Sequence, residues 1–163
     1  MVKLNLRILI AVLLTFEVWA PYCFAQQATG AAPGEITFIV NIDNPSSEIT
    51  YSDIRDYYFK KKRQWSNGES VRFIDRNLEA SLHDTFVKTI LKKSNSDVEL
   101  FWIGQKLYSG DSAPLRKTSD NGTIEFVSSF KGAIGYISSS SVADFDLPEM
   151  RVKVIKAVDT KGE

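Results

Sequence analysis

The run Gly132-Ala133-Ile134-Gly135-Tyr136-Ile137 narrows the fold more than any other stretch of the chain. It is short and apolar, follows an amphipathic segment and runs directly into four serines, Ser138 to Ser141. A continuous apolar run of this length, bounded by turn signals, reads as a strand buried on both faces at the centre of a sheet. Glycine at its first and fourth positions predicts that another element packs very close to it, the preceding helix being the nearest candidate.

Strands and helices alternate on either side. Glu35 to Ile42 carries Ile36, Phe38, Ile39, Val40 and Ile42 and reads as the first buried strand. Asp43-Asn44-Pro45-Ser46-Ser47 is a turn cluster. Thr50-x-x-Asp53 has the spacing of a capping box and opens a helix whose apolar face is Ile54, Tyr57 and Tyr58. Lys60-Lys61-Lys62-Arg63 closes that helix. The run reads as cations solvating the negative helix end, with an anion or membrane-surface patch as the sharper alternative. Trp65 precedes the turn Ser66-Asn67-Gly68, and Val71 to Asp75 reads as the second strand. A long helix is predicted over Leu78 to Lys92, with Leu82, Phe86, Val87, Ile90 and Leu91 as its stripe. Ser96-x-x-Glu99 predicts a helix from Asp97 to about Leu107 that is apolar almost all round, hence buried on several sides or meeting a partner, with burial in the core as the favoured reading. Tyr108 to Pro114 reads as a loop, Ser119 to Gly122 opens a short helix, and Arg151 to Ile155 alternates as a last strand. The pattern is α/β, with a small, mostly parallel sheet flanked by helices.

The first 25 residues read as a secretory leader. Lys3 and Arg7 give it a positive start, Ile8 to Phe16 is apolar except for Thr15, and Cys23-Phe24-Ala25 offers a cleavage site before Gln26. An uncleaved anchor and a lipid-bearing Cys23 are the competing readings. The domain division is then a leader at 1–25, a flexible tail at 26–34, one domain at 35–158 and a short tail at 159–163. The expected location is periplasmic or secreted, with no stable membrane span after cleavage near Ala25. Cleavage leaves 138 residues, enough to bury a core without covalent staples. Cys23 is the only cysteine, so the mature chain carries no disulfide, thiolate ligand or thiol nucleophile. The chain has 20 basic and 20 acidic residues; Lys3, Arg7 and Glu17 go with the leader, leaving 18 against 19. A near-neutral domain does not fit nucleic acid.

Catalytic signals are thin. His83 is the only histidine, so a histidine metal pair is excluded, and there is no G-x-S-x-G, P-loop or G-x-G-x-x-G. No enzyme, metal site or cofactor is expected. His83 falls on the apolar stripe of its helix and reads as a core residue, or else as a ligand donor near a helix start. In parallel α/β sheets, ligands sit beyond the carboxyl ends of the strands. Three polar segments qualify: Asn44 to Ser47, Arg76 to Ser81, and Ser138 to Ser141. The candidate ligand-binding residues are Asn44, Ser46, Ser47, Arg76, Asn77, Ser81, His83, Ser138 and Ser139. Hydroxyls, amides and one guanidinium suit an oxyanion; the same residues are also ordinary loop formers.

The segments ITYSDIRDYYFKKKRQW, FIDRNLEASLHDTF and FKGAIGYI, in that order, resemble the phosphate-binding proteins of bacterial ABC transporters over about 100 residues. The resemblance implies one lobe of a type II periplasmic-binding-protein fold, with no room in 138 residues for the second lobe. It also implies phosphate or another small oxyanion as ligand. Carried across residue by residue, the phosphate loop of Arg, Ser, Gly and Thr falls near Arg76 and on Ala80, Ser81 and Leu82, so most of its hydroxyls are missing. Two functions follow. One is an exported lobe that binds a small anion weakly, with a second copy or a partner as its other half. The other is a ligand-free contact module of the cell envelope, working as a homodimer or with an envelope protein, and using the aromatic pair Phe101 and Trp102.

Overall fold

The computed structural model describes residues 35–159. The expected leader and cleavage site, Cys23, the expected tail at 26–34 and residues 160–163 of the expected C-terminal tail lie outside the described residues.

Five strands form the main sheet in the order β4-β3-β5-β1-β6: β1 (Ile36–Asn41), β3 (Arg72–Arg76), β4 (Leu115–Lys117), β5 (Ala133–Ser138) and β6 (Val152–Val154). The apolar run around Gly135 is thus the middle strand. β5 runs parallel to β3, and β3 parallel to β4, while β1 pairs antiparallel with both β5 and β6. Four strands therefore point one way and β1 alone runs against them. Ile36 pairs with Ser138 and Ile39 with Val154, so the chain enters on β1 and leaves on β6 at the same end of the sheet. A small second sheet joins β2 (Glu48–Thr50) and β7 (Lys156–Val158) in parallel.

Strand alternation sorts the core into two layers. Phe38, Val40, Phe73, Ile134 and Tyr136 face one side. There they meet α1 (Tyr51–Tyr58), α2 (Ser81–Thr85), the π-helical turn that continues it (Phe86–Leu91) and α3 (Asn95–Tyr108). Aromatic rings dominate this layer: Phe86 stacks on Tyr136 at 4.5 Å, and Tyr58 meets Phe73 edge-on at 5.3 Å. Ile39, Ile74, Ala133 and Ile137 face the other side, under Ile124 and Val127 of α4 (Asp120–Ser129).

The glycines of the central strand do what their positions predict. A Cβ on Gly135 would stand 2.5 Å from Ile74 Cγ2 and 2.8 Å from Thr123 Cγ2, and one on Gly132 would run into the Ser70 carbonyl oxygen. The close neighbours of Gly135 are Ile74 on the adjacent β3 and, as expected, the preceding helix α4.

Several local expectations shift. The long helix starts at Ser81 rather than Leu78, because Asn77 N–H donates to the Lys117 carbonyl and carries the extended β3–β4 pairing past Arg76. α3 is capped two residues earlier than predicted: Ser94 accepts from Asp97 N–H and Asp97 answers at the Ser94 N–H. Lys92, left-handed at φ 56°, and Lys93 end the preceding helix, and Ser94 is then extended, which is the backbone a cap needs. β4 falls between the loop read to Pro114 and the helix read from Ser119, and carries too few apolar residues to be seen. α3 is not buried all round. Val98 and Trp102 face the core, while Leu100, Ile103, Leu107 and Tyr108 are exposed, because no described element covers that side.

Gly135→Ala is expected to cost about 1–3 kcal/mol of stability by overpacking against Thr123 and Ile74. Urea unfolding checks this; an unchanged midpoint would show that α4 can retreat freely.

Candidate functional site

β3 ends in Asp75-Arg76, and alternation sends the two side chains to opposite layers. Asp75 enters the aromatic layer and is fully buried. Its carboxylate accepts from Tyr58 Oη at 3.0 Å and from the Tyr136 hydroxyl, and lies 3.1 Å from His83 Nδ1. Arg116 Nε stands 3.9 Å away. Burial and then the Asp75 charge push the Tyr58 and Tyr136 hydroxyls far above their ordinary value. His83 is wholly enclosed, and its Nε2 has no partner. It is a core residue on Asp75 and does not reach solvent, which corrects its reading as a ligand donor: the stripe position that buries Val87 and Ile90 buries it too.

Arg76 turns to the α4 layer and is 7% exposed. Its Nη1 lies 3.0 Å from Asp120 Oδ1 and donates to Thr123 Oγ1 at 3.2 Å; its Nη2 donates to the Thr118 carbonyl at 3.2 Å. Its Nε is buried without a partner. Asp120 is the first residue of α4, whose N-cap Ser119 accepts from Gly122 N–H. The other oxygen of Asp120 accepts from the Ser138 backbone N–H at 3.4 Å. One carboxylate therefore touches both the end of β3 and the end of β5. Ser138 Oγ is 2.7 Å from Ser140 Oγ, and Ser139 Oγ is 2.8 Å from Thr37 Oγ1 at the start of β1.

The predicted residues divide accordingly. Arg76, Ser138 and Ser139 gather at one end of the sheet, with Asn77 and Ser81 in the connection that follows β3. Asn44, Ser46 and Ser47 do not join them. β1 runs against its neighbours, so its carboxyl end falls where β5 and β6 begin, and the rule that ligands sit beyond the strand ends brings this segment to the wrong place. From there the chain runs on to pair with β7, with Lys156 N–H on the Ser47 carbonyl. β5 separates β3 from β1, which leads into this segment. Asn44 is buried and its side chain closes the turn by accepting from Ser46 N–H.

Sequence reasoning missed Asp120, Thr118, Thr123 and Asp75. The signal for Asp120 was present, an acidic residue opening the helix just before the central strand, but only the strand order shows that it faces Arg76. The basic run after α1 is largely paired: Lys60 and Arg63 reach Asp111 at 3.3 and 2.7 Å, and Lys62 reaches Asp53 at 3.0 Å. Hydrogen bonding from Arg63 holds the Asp111 carboxyl well below the usual range. Trp102 is packed inside, against Tyr58 and Phe59, and Phe101 is half-buried, so the aromatic pair is not a free surface. Among the described residues no acidic, histidine or cysteine cluster could hold a metal, and no helix is long and apolar enough to cross a membrane.

The fold has close counterparts among solved structures. A possible phosphate binding protein from Planctomyces limnophilus matches with a TM-score of 0.56 and 20% identity, over 77% of this chain and 42% of that one. An ABC-type phosphate transport receptor from Vibrio cholerae matches at 0.52 and 17%, over 75% and 45%. PstS from Borrelia burgdorferi matches at 0.58 and 14%, over 78% and 49%. The chain has the fold of a single lobe of these proteins. It spans less than half the length of each of the three structures. No family model matches the chain, and no curated protein matches it in sequence. The lobe's α/β class and its mostly parallel sheet stand as read from the sequence.

Because the folded state holds Tyr58 and Tyr136 protonated, their contribution to stability is intact below the ordinary tyrosine value of 10.0 and is lost as pH rises above it. In an alkaline titration followed by tyrosinate absorbance, these two are expected to ionise only together with loss of near-ultraviolet circular dichroism. Ionisation of every tyrosine in a still-folded protein would contradict the buried network.

Proposed function

We propose that this chain is a substrate-binding-type lobe that works outside the cytoplasm and takes a small oxyanion, phosphate first among them, at the carboxyl ends of β3 and β5. The observation that carries the reading is Arg76, a nine-tenths-buried guanidinium delivered by β3 to a point shared with the Ser138 backbone N–H and the start of α4. A guanidinium, a backbone N–H and a positive helix end are the groups that bind oxyanions. The named neighbours point the same way: one is a phosphate transport receptor and one a possible phosphate binding protein. The secretory leader read in residues 1–25 supports export.

Binding to the lobe alone is weak. Ala80 and Leu82 supply no hydroxyls where the resemblance places them, one lobe does not enclose its ligand, and the anion competes with Asp120. The expected dissociation constant for phosphate is about 1 mM or weaker. Calorimetry or amide NMR shifts of Ser138 and Asn77 check it, and Arg76→Gln is expected to abolish the response. No response at saturating phosphate would remove the reading.

A second reading, a protein-contact scaffold, is favoured by one observation. Leu100, Ile103 and Leu107 are 67%, 57% and 77% exposed along one side of α3. Beside them Trp102, Ile103, Lys106, Leu107, Ser112 and Ala113 line a shallow groove of about 400 Å³. Co-purification from envelope extract is expected to retain a partner that Ile103→Lys with Leu107→Lys releases without changing the fold. Identical recoveries with both forms would remove this reading.

A further inference from the structure

We propose that Asp120 is a built-in counter-anion: its carboxylate occupies the oxyanion position at the ends of β3 and β5, and this position accepts an external anion when the carboxylate is neutralised or withdrawn. The inference rests on the reading of this end as the oxyanion end and adds the element that governs it.

Three features place Asp120 there. Its Oδ1 lies 3.0 Å from Arg76 Nη1 and its Oδ2 accepts from the Ser138 N–H at 3.4 Å, so it meets groups from two different strands. It is the first residue of a ten-residue helix, where a negative charge is stabilised by the unpaired N–H groups. The site is also imperfectly filled. Arg76 Nε is buried and unpartnered, and Asp120 Oδ1, for all its closeness to the guanidinium, makes no well-directed hydrogen bond. A flat carboxylate fixed to the helix backbone has less freedom to align with Arg76 Nη1 and the Ser138 N–H than a tetrahedral oxyanion, which carries more acceptor oxygens and is free to orient. Arg76 is otherwise held by Thr123 Oγ1 and the Thr118 carbonyl, so the donor stays in place when the carboxylate is gone.

The competing explanation is a strut. On that account the Asp120–Arg76 pair ties α4 to β3, and no anion ever replaces it. The two accounts separate in Asp120→Asn, which keeps the size of the side chain and removes its charge. Thermal unfolding and calorimetry are run on the parent, D120N and the double variant R76Q/D120N, with phosphate and sulfate titrated against chloride at equal ionic strength. D120N is expected to bind phosphate about tenfold more tightly than the parent. It is also expected to recover, as phosphate is added, the melting temperature lost with the carboxylate, while R76Q/D120N recovers nothing. Should D120N fail to fold in chloride, its refolding yield is expected to rise with phosphate and that of R76Q/D120N is not.

Equal phosphate affinity in parent and D120N would overturn the counter-anion role while leaving the oxyanion end standing. A loss of stability in D120N that no anion restores, with no binding by either protein, would establish the strut and overturn both. Recovery that persists in R76Q/D120N would mean the anion acts elsewhere, and would overturn the inference as well.

Discussion

The close approach of α4 to Gly135 is the constraint on which the rest of the lobe depends. Thr123 and Val127 lie against a backbone position that has no side chain, on the middle strand of the sheet. Any larger residue there lifts the helix. Because Thr123 also accepts from Arg76, and Asp120 begins the same helix, the depth at which α4 sits determines where the guanidinium points. Packing in the core and the electrostatics of the sheet end are one arrangement, joined through a single helix.

Its counterpart on the opposite layer is the carboxylate of Asp75. A buried carboxyl group is tolerated only when hydrogen-bond partners surround it, and here two hydroxyls, an imidazole and the neighbouring backbone N–H do so. Phe86 stacks on the same Tyr136 that donates to Asp75, so the aromatic layer and the polar network share a residue. The adjacent positions 75 and 76 thus anchor the end of β3 from both sides. This gives the strand end a rigidity suited to presenting a charged group.

Most of the architecture was legible in the residues, and the reasons for the exceptions are physical. The central strand, the two glycines and the stripes of α1 and of the helix after β3 follow from local apolar patterning, which tertiary contacts here reinforce. β4 was invisible because an edge strand of Leu-Arg-Lys carries no alternation to detect. α3 was misjudged because an apolar surface on every side shows only that water is disfavoured, not that the fold supplies a cover. The site was half legible. Arg76 and Ser138 follow from the rule about strand ends, whereas Asn44 was misplaced because strand direction is a property of pairing, which no local pattern encodes. Asp120 escaped notice for the same reason: its importance lies in a partner 44 positions away in the sequence.

The neighbouring positions of β1 and β6 have a consequence for how such a unit travels. A sheet that is entered and left on adjacent strands at one rim can be grafted into a surface loop of a host chain with little closure entropy, since the two connections already stand side by side. The rim that would receive such a graft is also the one bearing the Arg76 guanidinium.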